Sequence, residues 1–165
     1  MNTPILEFRG SFDFLSNFYV AKVTWAGIEW PSSENAYQAA KAAPEEWAKF
    51  INITPGQAKR LGKQVKMRED WELVKDGIML DIVREKFMQN IELMEKLLAT
   101  GDAPLQEGNW WGDRYWGVSP VNSGNGKNKL GKILESIRKE FSVAYAVPQD
   151  QGIIYYDSRP EDSIP

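Results

Sequence analysis

A single, mainly helical domain carrying a small β-hairpin is the fold the chain predicts, and two observations predict it. Apolar residues recur at three-to-four spacing through residues 70–87, 91–98 and 130–141, which is the helical period. Extended runs are few and short, and two of them flank the Ala26-Gly27 dipeptide as hairpin strands would, over residues 20–25 and 28–30.

Taken in order, residues 5–8 alternate apolar and polar and read as a short strand, followed by a turn-rich, aromatic segment over 10–19. The hairpin then leads into a helix over 32–41. Ser32 and Ser33 are N-cap residues, Glu34 complements the helix dipole, and nothing breaks the run before Pro44. Pro44 opens a second short helical segment reaching Phe50. Thr54 as N-cap, Pro55 behind it and Gly62 as C-terminal stop delimit another helix. In the helix of 70–87, Val74, Ile78 and Ile82 form one apolar row and Met79, Val83 and Phe87 the next. A helix over 91–98 stops at Thr100-Gly101. A Gly-rich turn, Ser123 to Asn128, feeds the last helix, whose apolar residues are Leu130, Ile133, Leu134, Ile137 and Phe141. Residues 1–145 thus read as one domain and 146–165 as an acidic, Pro-containing tail with an apolar patch at 153–156.

Composition narrows the chemistry. The chain has 165 residues, no cysteine and no histidine. Thiolate and Ser-His-Asp catalysis are excluded, as are zinc sites of the usual kind, so acid–base work falls to Asp, Glu, Lys or Tyr. No tight acidic cluster suggests a metal site, and no cofactor is implied. A net charge of −3 gives no reason to expect a general nucleic-acid backbone binder. Neither a signal peptide nor a membrane span is legible, which points to a cytoplasmic protein without a membrane partner.

Two stretches carry chemistry. On the 32–41 helix, Glu34, Gln38 and Lys41 fall at i, i+4 and i+7 with Tyr37 beside them, while Ala36, Ala39, Ala40 and Ala43 form a face for close packing. A solvated face with weak side-chain pairs is the competing reading, worth a few tenths of a kcal/mol per pair at about 0.2–0.5 kcal/mol. The second stretch is Trp110, Trp111, Asp113, Arg114, Tyr115 and Trp116, between Asn109 and Gly117. Aromatic rings in loop-like sequence suit stacking on a flat ligand. The Gly-rich turn beyond them would offer free backbone N–H groups to an anion, although its spacing is not that of a Walker loop. Lys59, Arg60, Lys63, Lys66 and Arg68 form a basic concentration that either faces solvent or meets phosphate. Trp71, at the start of the 70–87 helix, either packs in the core, as the residues alone favour, or lines the same cleft.

These motifs together resemble the NADAR family, also called YbiA-like. Its Ser-Asn-Phe falls on Ser16, Asn17 and Phe18, and its Ser-Glu-x-x-Tyr-Gln-x-x-Lys on Ser33, Glu34, Tyr37, Gln38 and Lys41. Its Asp-x-x-Trp-Gly falls on Asp113, Trp116 and Gly117, and its Gly-x-Asn-x-Leu-Gly on Gly126, Asn128, Leu130 and Gly131. Order and spacing agree over residues 5–141. The chain departs from riboflavin-type bacterial relatives at Asn35, where they carry His, and at Val118, where they carry an acid; residues 119–123 also form a longer segment than theirs.

The resemblance implies an α+β fold of the YbiA-like type and hydrolysis of a ribose C1–nitrogen bond. The substrate would be a small nucleotide-like molecule, either a phosphoribosylamino-pyrimidine of riboflavin synthesis or an ADP-ribosylated guanine, the latter free or within a nucleic acid. Under that reading Glu34, Lys41 and Asp113 are the catalytic candidates. Glu34 serves as acid/base or cation-stabilising carboxylate. Lys41 is an imine-forming amine or an electrostatic contact, and Asp113 orients ribose hydroxyls or water. Asn17, Phe18, Trp30, Ser33, Tyr37, Gln38, Trp71, Trp111, Trp116, Gly117, Gly126, Lys127 and Asn128 are the substrate-binding candidates. Phe18, Trp111 and Trp116 would hold the base, and residues 126–128 would meet phosphate. The alternative is a module that binds ADP-ribose or a related nucleotide without cleaving it.

Overall fold

The computed structural model describes residues 2–146. Strands β1 (Val23–Trp25) and β2 (Ile28–Trp30) pair antiparallel with Val23 opposite Trp30 and Trp25 opposite Ile28. Ala26 and Gly27 both have positive φ, 53° and 77°. That pair is what a two-residue turn needs to follow the strand twist, so alanine accepts a left-handed conformation here.

Helix α1 (Ser33–Ala40) begins where the Ser32 side chain accepts the Asn35 N–H, and at about two turns it is slightly shorter than the 32–41 helix expected from the sequence. Its eight residues are all buried. Ala36, Ala39 and Ala40 allow the close approach of α2 (Pro55–Gly62), α3 (Trp71–Gln89) and a 3₁₀ turn at Pro44–Phe50. Ala42 shares that buried face, whereas Ala43 is exposed. α2 carries a full capping box between Thr54 and Gln57. Gly62 ends the helix without a left-handed cap. It is glycine because a Cβ there would lie 1.9 Å from Gln38 Oε1.

α3 is the central element, packed on β1, α1, α4 (Ile91–Ala99) and α5 (Lys129–Ala146). Its Met79, Ile82, Val83 and Phe87 join Leu97, Leu134 and Ile137 in the core. Each large side chain so buried contributes roughly 1.5–3 kcal/mol. The residue 5–8 strand does not form. Ile5 makes one parallel bridge, donating to Pro104 O and accepting from Gln106 N–H, both at 2.9 Å. The chain then turns at Gly10 (φ 57°) into a 3₁₀ turn, Gly10–Leu15. That turn is tied down by the buried Lys86, whose Nζ donates to Phe14 O at 2.7 Å and Ser16 O at 2.8 Å.

Residues 102–128 form an irregular layer over α1 and α3, held by a Gly108–Val118 bridge and side-chain bonds. Among the described residues no helix is long and apolar enough to cross a membrane. The tail from residue 147 on, with its 153–156 apolar patch, lies outside the described residues.

Candidate active site

The motif face of α1 does not look into solvent. It forms the floor of a cavity of about 160 Å³, walled by Asn17, Phe18, Glu34, Tyr37, Gln38, Lys41, Lys59, Glu107, Trp111, Asp113 and Trp116. A second lobe of about 370 Å³ opens beside it toward Phe8, Arg9 and Gly108, and the two share Ser16, Phe18, Lys59, Glu107 and Trp111. A larger, more open groove of about 660 Å³ lies elsewhere, at the 3₁₀ turn and the segment after α2. Two of its basic residues are paired there or nearby, Lys49 with Glu46 and Arg68 with Asp70.

Glu34 is 6% exposed. Burial raises its pKa, and the bond Gln38 Nε2 donates to Oε1 at 2.8 Å opposes the rise, as do the charges of Lys59 and Lys41. Nearby Asp113 adds to the rise. Lys41 is pushed down in pKa by burial, against the pull of Glu34, with Lys59, Lys63 and Lys75 adding repulsion. The ion pairs among the described residues engage neither Lys41 nor Lys59. Lys59 instead stands between two rings, 5.6 Å from the Phe18 centroid and 5.2 Å from that of Trp111.

Asp113 closes its own turn, with Oδ1 accepting the N–H groups of Tyr115 and Trp116 at 3.1 and 3.0 Å. Trp116 packs edge-on to Tyr37, centroids 5.5 Å apart, so the acid and one ring arrive as a unit. Asn17 is held by α1 from two sides. Its carbonyl accepts the Glu34 N–H at 3.0 Å, and its Oδ1 accepts Ser33 Oγ–H at 2.9 Å.

Several candidates lie elsewhere. Trp30 is fully buried in the core, its Nε1 donating to Trp25 O and its ring edge-on to Trp47. Trp71 is buried behind Tyr37, 5.2 Å between centroids, and does not line the cavity. Ser33 acts on Asn17 rather than on the cavity. The C-terminal end of the Gly-rich turn is not an anion cradle, because the N–H groups leading into α5 are used. Lys127 donates to Arg114 O, Asn128 to Gly117 O, Lys129 to Tyr115 O and Leu130 to Trp116 O. Gly126 and Gly117 are glycines of close approach, since a Cβ on Gly126 would sit 2.2 Å from Gly117 O and one on Gly117 would sit 2.0 Å from Glu107 O. Lys127 stands over the Tyr115 ring, 5.2 Å from its centroid. Asn128 is a clamp, with Oδ1 accepting the Glu107 N–H at 3.0 Å and Nδ2 donating to Leu105 O at 2.8 Å.

Asn35, one point of departure from the riboflavin-type relatives, faces away from the cavity. Its Nδ2 donates to Phe50 O and Ile53 O at 2.8 and 2.9 Å, anchoring the segment after the 3₁₀ turn.

Two cavity residues had no individual signal in the sequence. Lys59 is one of several basic residues in its stretch, and only the packing of α2 on α1 selects it. Glu107 is an isolated acid in a loop; burial first, then the charges of Asp113 and Glu34, push its pKa up to about 7. Among the described residues no group of Asp and Glu side chains converges closely enough to hold a metal ion. The arrangement offers carboxylates of different character, amines in a partly dry setting and flat rings at the mouth.

Comparison with known proteins is consistent with this geometry. The family model of the NADAR domain matches residues 7–142. N-glycosidase YbiA of Shigella flexneri is 35% identical over 150 residues, covering 87% of this chain and 92% of that protein. A riboflavin biosynthesis protein of Vibrio vulnificus is 40% identical over 131 residues, 77% of this chain, and the match spans only 35% of its length. The NMR structure of the Escherichia coli protein YbiA superposes with a TM-score of 0.78 at 31% identity, over 92% of this chain and 93% of that one.

Proposed function

The chain belongs to the NADAR family, and from that premise we propose that it is an N-glycosidase hydrolysing the bond between a ribose C1 and a ring-base nitrogen. The observation that carries this reading is the buried Glu34 carboxylate, held by Gln38 at the floor of a cavity with aromatic rings in its walls. Breaking a C1–N bond builds positive charge on the sugar, and a desolvated carboxylate opposite that charge stabilises it. Glu34 takes that place and receives the proton of the attacking water. Asp113, with Oδ1 committed to its own turn, keeps Oδ2 for ribose hydroxyls. Lys41, made less basic by burial, has the character of an amine able to form an imine with an opened sugar. Phe18 and Trp111, shared by both lobes, hold the base, and Trp116, which lines only the lobe with Glu34, packs beside the sugar. Lys59 takes the phosphate contact in place of the residue 126–128 turn, where the Lys127 and Asn128 N–H groups are already bonded, with Lys63 and Lys75 adding to the local positive field.

Both substrate classes fit this chemistry: a phosphoribosylamino-pyrimidine, and ADP-ribosylated guanine, free or in nucleic acid. Mass spectrometry of the purified protein with each substrate decides between them. Release of ribose 5-phosphate marks a metabolite-clearing hydrolase, and release of ADP-ribose an eraser of base modification. Glu34→Gln is the control, expected to cost about 10²–10⁴-fold in turnover. Saturable binding of both substrates without product would overturn the reading in favour of a nucleotide-binding module.

A further inference from the structure

We propose that Glu107 is the general acid of this site, giving the departing base nitrogen the proton it takes as the C1–N bond breaks. The inference rests on the N-glycosidase reading and adds a residue that carries none of the sequence motifs.

Position is the first argument. Glu107 lies at the seam of the two lobes and lines both. The inner lobe holds Glu34, Lys41 and Asp113, the groups suited to a sugar. The rings of Phe18 and Trp111 flank the opening to the outer lobe, where a flat base would lie. A bond joining sugar to base must cross that seam.

Anchoring is the second. The Glu107 N–H donates to Asn128 Oδ1 at 3.0 Å, and its carbonyl accepts the Val118 N–H at 3.0 Å. The missing Cβ of Gly117 lets the chains meet there. A fixed backbone is what proton delivery to one atom requires.

The third argument is the contrast between the two glutamates. Glu34 receives a hydrogen bond from Gln38, which favours its ionised form. Glu107 Oε2 is buried with no hydrogen-bond partner, which favours a carboxyl that keeps its proton. Burial first, then the charges of Asp113 and Glu34, raise its pKa to about 7 against the pull of Lys59 and Lys86, which places it where a general acid works best near neutral pH. One cavity thus holds a carboxylate and a carboxylic acid whose environments push them toward different tasks.

The step balances with one water. The C1–N bonding pair passes to nitrogen, which takes the Glu107 proton. Water adds its oxygen to C1 and loses a proton to Glu34. Transfer of that proton from Glu34 to Glu107 through solvent resets the site, leaving a sugar C1–OH and a base N–H.

The test pairs two leaving groups on the same sugar. Glu107→Gln keeps the shape and loses the acid proton. It is measured on whichever N-linked substrate the wild type cleaves, and on the matching 4-nitrophenyl riboside with the same 5′-phosphate or ADP group, whose phenolate leaves without a proton. The expected result is a loss of about 10²–10⁴-fold on the N-linked substrate and a change of only a few-fold on the nitrophenyl riboside. The alkaline limb of kcat/KM near pH 7 should vanish in Glu107→Gln and persist, at lower rate, in Glu107→Asp. Equal losses on the two substrates, or an alkaline limb that survives in Glu107→Gln, would overturn the assignment. A fully active Glu107→Gln beside an inactive Glu34→Gln would sink this acid while leaving the N-glycosidase reading in place. A wild type that releases no base from any substrate would sink both.

Discussion

Gln38 reaches Glu34 from one turn further along α1, its Nε2 donating to Glu34 Oε1 at 2.8 Å, while Gly62 of α2 lies directly against the other end of the same amide. The contact therefore depends on a glycine in a different helix. A Cβ at position 62 would fall 1.9 Å from Gln38 Oε1, so Gly62→Ala must push the amide off its partner. Gln38 is what holds the Glu34 pKa down against burial, so losing it raises that pKa further. The acid limb of kcat/KM, where Glu34 must ionise, should move to higher pH in both Gly62→Ala and Gln38→Leu. Parallel pH–rate profiles of the two variants check this, and an unmoved limb in both would show that Gln38 does not set the state of Glu34.

Trp111 is 55% exposed and leans on Lys59 at the cavity mouth. Its removal costs the fold little, within about 0.5 kcal/mol for a surface position. Stacking of a base on an aromatic ring contributes about 1–3 kcal/mol, so Trp111→Ala should raise KM roughly 5- to 150-fold with kcat nearly unchanged. Steady-state kinetics beside a thermal melt separate the outcomes. A fall in kcat at constant KM would mean that the ring does not hold the base.

The helix bearing Glu34, Gln38 and Lys41 was legible because its signals are local: a serine cap, an unbroken run and side chains recurring along one line. The solvated-face alternative failed for a reason no local pattern holds, since α2, α3, the hairpin and the turn at Pro44–Phe50 pack around that helix and loop residues such as Trp111 and Asp113 wall the cavity over its motif face. Tryptophan gave an ambiguous signal. Trp111 is open at the mouth, whereas Trp30 and Trp71 are buried, and all three stand near turn or motif residues in the chain. Glycine was ambiguous in the same way. The Gly126 turn has the composition of an anion loop, yet Gly126 serves the close crossing of two backbone segments. Glu107 had no signal at all, because its setting exists only once residues 105–108, 113–118 and 128 have met.

Lys86 makes stability depend on pH in a definite direction. The ammonium is buried, and its pKa falls to about 7 from an ordinary 10.5, with desolvation as the chief cause. Between those values the unfolded chain binds a proton that the folded chain does not, so this residue's contribution to stability rises with pH from about 7 to 10.5. A neutral amine retains two N–H bonds, enough for both Phe14 O and Ser16 O. Lys86→Met leaves those carbonyls without this donor, a penalty of about 1–3 kcal/mol for each if it stays unsatisfied. Urea unfolding at pH 6, 8 and 10 should show the wild type gaining on Lys86→Met as pH rises. A gap that stays constant or narrows would mean the lysine is charged in the folded state throughout.

Asn128 separates a clamp from a phosphate ligand. It sits at φ 49°, and its amide joins Glu107 N–H to Leu105 O, so it sets the loop that carries the second glutamate. Asn128→Ala removes both bonds and places a Cβ-bearing residue without a local polar side chain in the left-handed region, for a loss of about 2–4 kcal/mol. Turnover should fall as Glu107 loosens. The preference for a substrate bearing its 5′-phosphate over the dephosphorylated form should stay as in the wild type. Lys59→Ala should do the reverse, leaving stability nearly intact and erasing much of that preference. Thermal midpoints and the ratio of kcat/KM for the two substrate forms, measured on both variants, decide the point. If Asn128→Ala lost the phosphate preference while Lys59→Ala kept it, the turn at residues 126–128 would be the anion site after all, and its backbone would have to rearrange when substrate binds.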